Sequence, residues 1–396
     1  MARRQSAKLT RRQWLRAGAA SGGALLLGFA DGGRSNPPRP QPKDPFAGGK
    51  QLGLADFVRE GHVEMETAIG TELDGRLYTD LSKLTSQDPV TPVERFYVRT
   101  RASKLLRDQK SWQISVDGLV KQPSNLTIER LNRAAKPMGL HLMECAGNVP
   151  LGRFGMISVT SWTGVPLAEI LDTRDARPRA LRVLITGFDQ YATRSTTSVP
   201  GASWVFSIEE LKAAEAFLAT EMSGKPLTAD HGAPVRLVVP GWYGCTCVKW
   251  VTAITFLDDT AKATSQMQEY AARTRQNGLP ALARDFQPAT IDPAAMPIRV
   301  EKWLVEGKIQ YRVVGIAWGG TSPVNPLIIR FNPEEDYAPV DNFTQTKNDP
   351  WTLWTHAWSP RGPGTYSIRL AVKDPSVPTR RLDSGYYVRS VEISEV

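Results

Sequence analysis

The chain of 396 residues holds three cysteines, at positions 145, 245 and 247. Cys145 stands in His141-Leu142-Met143-Glu144-Cys145-Ala146-Gly147-Asn148, a short polar turn flanked by small residues. Small neighbours let another group approach the backbone closely, and a thiolate there is a nucleophile or a soft metal ligand. By spacing alone, an isolated cysteine is more often an inert buried side chain. Cys245 and Cys247 are too close for easy disulfide geometry, which leaves Cys145 unpaired. No second Cys or His pair stands at zinc-ligand spacing, and no Cys-x-x-Cys-His run would attach a c-type haem. The glycine fingerprints of phosphate and dinucleotide loops are missing from the sequence too.

The elements that must position such a thiol read as strands. Short apolar or alternating runs recur at Arg95–Thr100, Trp112–Val116, Leu181–Thr186, Val235–Val239, Val248–Leu257, Ile309–Ala317, Leu327–Phe331 and Thr365–Val372, separated by Pro, Gly, Asn and Asp. The best helical pattern is Ser207–Met222, where Ser207 and Glu210 form a capping-box signature. Thr127–Asn132 and Pro166–Leu171 are shorter helical candidates. Residues 276–298 are Pro-rich and read as a connector, and residues 299–396 have the turn spacing of an all-β sandwich. The expected fold class is therefore α+β.

The net charge is +9. Residues 1–45 carry nine Lys or Arg against two acids, so seven of the nine excess charges lie there. A basic stripe on the folded body is not indicated, which argues against a nucleic-acid partner. The segment Thr10-Arg11-Arg12-Gln13-Trp14-Leu15-Arg16, followed by a weakly apolar run to Ala30, is the pattern of a twin-arginine signal. It predicts a periplasmic protein, exported folded with a cofactor already loaded. Residues 31–50 read as a linker.

Several ordered motifs resemble the sulfite oxidase family. They are Glu144-Cys145-Ala146-Gly147-Asn148, Gly155-Met156-Ile157-Ser158, Trp162-Thr163-Gly164-Val165-Pro166-Leu167, His231-Gly232-Ala233-Pro234-Val235-Arg236, Val248-Lys249-Trp250 and, upstream, Arg95-Phe96-Tyr97-Val98-Arg99. Gly315-Ile316-Ala317-Trp318-Gly319-Gly320 resembles the start of that family's immunoglobulin-like dimerisation domain. The resemblance implies a signal over 1–30, a linker and extension over 31–74, a molybdopterin-binding catalytic domain of mixed α/β type over 75–285, and the sandwich over 286–396. It further implies one molybdenum per chain held by molybdopterin and the Cys145 thiolate. The positions matching the family's pterin and phosphate contacts are Tyr97, Val98, Arg99, Thr100, Arg101, Asp189, His231, Arg236, Cys247, Val248 and Lys249. Fixed cations, arginine above all, suit an anionic dithiolene and a phosphate. Arg99 and Tyr270 join Cys145 as expected catalytic residues, Tyr270 as a phenol able to donate a hydrogen bond and move protons. Glu144 reads as structural.

The chain also departs from the family. Val149-Pro150, Thr246 and Thr321-Ser322-Pro323 stand where relatives often carry arginine, and Arg101 stands where histidine is common. Each lost charge-assisted contact weakens anion binding by roughly 1.5–3 kcal/mol. Arg101 and Arg153 are the candidate replacements. The expected reaction is oxidation of sulfite to sulfate, with electrons leaving to an external c-type cytochrome and the sandwich forming a homodimer. Reduction of sulfoxides or another small oxidised compound is the alternative, and a non-catalytic exported binding protein a further one.

Overall fold

Strand Lys308–Trp318 buries side chains on both of its faces. Successive strand residues point to opposite sides, so a strand apolar at nearly every position must lie between two cores. Tyr311, Val313 and Ala317 join one apolar cluster. Val314, Ile316 and Trp318 join another. Gly315 lies on the same strand, where a Cβ would sit 2.0 Å from the Trp354 ring.

The computed structural model describes residues 44–102, 106, 111–171, 176–188, 202–346 and 350–396. The twin-arginine segment and Asp189 lie outside the described residues. No helix among the described residues is long and apolar enough to cross a membrane.

The smaller core fills a sandwich of two antiparallel sheets. One sheet orders Lys50–Ala55, Ala294–Val305, Lys308–Trp318 and Trp351–Trp358. The other orders Ala338–Pro339, Leu327–Arg330, Gly364–Val372, Arg389–Ile393 and Phe57–Val58. Residues 50–58, read as part of an extension, thus supply an edge strand to each sheet. Strand Ala294–Val305 begins inside the passage read as a connector, so 276–298 is not structureless throughout. Its first five residues are all buried, which explains why no alternation betrayed it.

The larger core gathers helices and sheets between Tyr78 and Ile298, joined by Val314, Ile316, Trp318, Trp351 and Tyr387. A mixed sheet orders Ser203–Ser207, Arg182–Gly187, Val251–Leu257, Gln113–Gly118 and Ser124–Thr127, with one parallel pair at its centre. A second sheet runs Lys225–Pro226, Phe217–Met222, Ile157–Pro166 and Lys136–Glu144, with Arg236–Val238 alongside Phe217–Met222. The fold is α+β, as the sequence led us to expect.

The helix expected over Ser207–Met222 is corrected. The capping box forms, with Glu210 N–H donating to Ser207 Oγ at 3.0 Å, but the helix ends at Ala213. Phe217–Met222 is a strand paired on both sides, and Phe217, Leu218, Ala219 and Met222 are fully buried. A face buried all round gains more from two ladders than from one amphipathic helix turn, so packing overrides local propensity.

Candidate active site

Strand Lys136–Glu144 ends at the turn that carries Cys145. Backbone bonds fix this turn: Cys145 N–H to Met156 O at 2.9 Å, and Asn148 N–H to Cys145 O at 2.9 Å. The fully buried Asn148 side chain accepts from Met156 N–H at 3.0 Å. Gly147 N–H points at Cys145 Sγ, 3.4 Å away.

The turn is braced from the C-terminal part of the chain. Glu144, wholly buried, accepts from Trp318 Nε1 at 2.9 Å and from the Tyr387 hydroxyl at 3.0 Å. Arg381 Nη1 lies 3.9 Å from the same carboxyl group, and its Nη2 donates to Ala146 O at 3.0 Å. Burial raises the Glu144 pKa, while Arg381 and the hydrogen bonds from Trp318, Tyr387 and Asn148 oppose that rise. Tyr386 donates to Asn148 O at 2.6 Å. No local pattern in the sequence announced Arg381, Tyr386 or Tyr387, whose partners lie more than 230 residues away.

Cys145 opens on a cleft of about 150 Å³. Tyr97, Arg99, Thr100, Arg101, His231, Arg236, Cys247, Val248, Lys249 and Tyr270 all line it. The structure therefore brings the sequence-derived residues together, apart from Asp189, outside the described residues, and Val98, which lies on the adjoining strand Val98–Arg99. Cys245, Met143, Gln266 and Glu269 line the same cleft and were not singled out as ligands. All three cysteines are free thiols and buried. Burial pushes the Cys245 and Cys247 thiols up.

The cleft is cationic and partly unsatisfied. Arg236 is 2% exposed. Its Nη atoms donate to His231 O at 3.0 Å and Cys247 O at 3.2 Å, but its buried Nε has no partner among the described residues. A buried donor left bare costs about 1–3 kcal/mol, which a bound acceptor would recover. Lys249 Nζ donates to Asp230 O at 2.6 Å, Thr100 Oγ1 at 2.8 Å and Arg99 O at 3.2 Å. Burial, then the nearby Arg236, lowers its pKa to about 7. His231 is held in a neutral form: Nδ1 faces Thr228 Oγ1 at 2.7 Å and Nε2 faces Phe96 O at 3.3 Å. Burial, then Lys249 and Arg236, lowers its pKa to about 3. His231 thus holds the strand that presents Arg99 rather than offering a free nitrogen. Burial, and then the facing Cys145, raises the Tyr270 pKa, so the phenol keeps its proton.

These shifts give a pH dependence of stability in the cofactor-free protein. Both folded pKa values lie below the ordinary ones, so the unfolded chain takes up protons first as pH falls. Lys249 withdraws stability between about pH 10.5 and 7, and His231 between about 6.5 and 3. Each contributes up to about 1.4 kcal/mol per pH unit inside its window. Urea titrations at stepped pH should show the urea midpoint falling towards acid. His231→Gln should flatten the acid-side window; an unchanged acid-side slope in that variant would count against the assignment.

Among the described residues, no group of three or more His, Cys, Asp or Glu is arranged to hold a metal ion. A metal at Cys145 would need its other ligands from a cofactor. The chain matches the family described as oxidoreductase molybdopterin binding domain over residues 102–265. It is 24% identical over 345 residues to the mitochondrial sulfite oxidase of Drosophila melanogaster, an alignment covering 79% of this chain and 57% of that protein. Residues 102–265 thus match a molybdopterin-binding oxidoreductase domain.

Other relatives of the domain carry the names of different activities. The chain is 31% identical over 189 residues to a nitrate reductase of Hordeum vulgare, covering 44% of this chain and 21% of that protein. It is 29% identical over 202 residues to the methionine-sulfoxide reductase catalytic subunit MsrP of Xanthomonas campestris, covering 48% and 61% respectively. The chain therefore spans about a fifth of the nitrate reductase and under two thirds of these other relatives. The sulfane dehydrogenase SoxCD of Paracoccus pantotrophus shares its fold, with a TM-score of 0.61 over 94% of this chain and 96% of that one, at 19% identity. The cleft's donor set fits the domain's cofactor: one cysteine sulfur, an Arg236 Nε without a partner among the described residues, and Lys249 and Arg101 on its walls.

Proposed function

We propose that this chain is a molybdenum-dependent enzyme that oxidises sulfite to sulfate. The observation that carries the reading is the Cys145 thiol set in a cationic cleft beside Arg99, which also lines a second opening beside Gly147. Sulfite and water give sulfate, two protons and two electrons. When bound, the molybdenum cofactor supplies oxygen-atom and two-electron transfer. Cys145 would hold the metal, and Arg236, Lys249, Thr100 and Arg101 the pterin and its phosphate. Arg99 attracts the anion, at the border of the two openings. Tyr270, kept as a phenol, donates a hydrogen bond across the site and passes on the protons released. The buried walls formed by Met143, Cys245 and Trp250 keep bulk water from diluting these charges.

The reading includes export through the twin-arginine route to the periplasm, electron transfer to a c-type cytochrome, and a homodimer built on the sandwich. Steady-state turnover of sulfite, with ferricyanide or cytochrome c as acceptor, tests it directly. Sulfite-dependent reduction of the acceptor is expected. No sulfite turnover, together with sulfoxide-dependent oxidation of a reduced viologen, would favour the reductase reading that the MsrP relative supports.

A further inference from the structure

A second cleft of about 680 Å³ opens on the Gly147 side of Cys145. Five arginines line it: Arg76, Arg99, Arg273, Arg380 and Arg381. Two are already engaged. Arg380 donates to Asp292 at 2.9 Å, and Arg381 is bound to Ala146 O and Arg273 O and lies beside Glu144. Among the described residues the guanidinium groups of Arg76, Arg99 and Arg273 make no ion pair or hydrogen bond, although the Glu269 carboxylate acts on Arg99 from a distance.

Arg76 and Arg273 are exposed, and Arg99 is half-buried between them and the thiol-bearing cleft. Arg76 and Arg99 stand directly opposite each other where Asp74–Leu77 pairs with Val98–Arg99. Like charges at such a cross-strand position repel. Arg273 approaches from another element, the turn that follows the helix Ser265–Tyr270. Its guanidinium lies 5.4 Å from the centre of the Tyr270 ring. A Cβ placed on Gly147 would be 3.1 Å from Arg273 Nη1 and 3.9 Å from Cys145 Sγ, so Arg273 reaches the rim of the thiol. The two replacement candidates named from sequence are elsewhere. Arg153 caps a turn and points towards Glu60 at 3.9 Å, and Arg101 lines the other cleft.

We propose that Arg76 and Arg273, together with Arg99, form the anion grip that admits and orients an oxyanion substrate, making Arg76 and Arg273 specificity-determining residues. They replace from new elements the cationic contacts that Val149, Thr246 and Thr321 do not provide. The substrate class rests on the oxidase reading; the anion site itself does not.

The test uses the purified holoenzyme and inorganic sulfate, which binds without turnover. Arg273→Gln and Arg76→Gln should each raise the sulfate Kd by about tenfold, and the sulfite KM alike, with kcat and metal content held. The rise of KM with ionic strength should flatten in both variants. Arg76→Gln should melt no lower than the parent, because it relieves a repulsion. Arg133→Gln, an exposed residue paired with Glu129, is the control and should change nothing. Sulfate binding that depends on both arginines in a protein that does not oxidise sulfite would sink the oxidase reading and keep this one. Unchanged sulfate affinity in the double variant, no sulfate binding by the parent, or loss of molybdenum from either variant would overturn the proposal.

Discussion

Cys145→Ser should abolish turnover while the protein stays folded. A serine hydroxyl does not ionise at neutral pH and is a poor ligand for a thiophilic centre. The loss expected in kcat is a thousandfold or more, about 4 kcal/mol of barrier. The fold should survive because Sγ receives a single long contact from Gly147 N–H, while the turn rests on backbone bonds and Asn148. Metal analysis and turnover, measured beside a thermal melt, separate the two effects. A serine variant that keeps full turnover would remove the basis for placing the metal here.

Glu144→Ala should be the most destabilising single change near the site. It strips the acceptor from Trp318 Nε1 and the Tyr387 hydroxyl and leaves Arg381 buried without its carboxylate. Breaking a buried pair from one side costs about 3–5 kcal/mol. Glu144→Gln, which keeps one acceptor oxygen and the side-chain volume, should lose about half as much. Urea titration of both variants at neutral pH measures this. The turn that carries Cys145 should also loosen, so kcat should fall in Glu144→Gln even though Glu144 touches no substrate. A midpoint for Glu144→Ala within 1 kcal/mol of the parent would contradict the brace.

The residues legible in the sequence share a trait. Cys145, Arg99, His231, Arg236 and Lys249 lie inside short continuous motifs, and all line one cleft. Arg76, Arg273, Arg381 and Tyr387 do not; distant strands and turns bring them to the site, and nothing in their neighbours marks them. The sequence offered Arg101 and Arg153 as substitute cations because they adjoin the motifs. Arg76 and Arg273, brought to the second cleft by cross-strand pairing and a turn, adjoin none of those motifs. The same reason governs the fold. A capping box set the start of the helix at Ser207 correctly, but its end was set by two neighbouring strands that no local signal reveals. His231 was read as a cofactor contact, whereas both its ring nitrogens face protein oxygens.

The two-sided strand Lys308–Trp318 has a consequence for anyone cutting the chain. Ending the protein before residue 294 would not release a soluble catalytic half. It would strip Met296, Ile298, Val314, Ile316 and Trp318 from the larger core and leave Glu144 without the indole it binds. A fragment of that kind should aggregate or fail to load its metal. The sandwich is therefore part of the wall behind the thiol, and the chain should unfold in one transition rather than two.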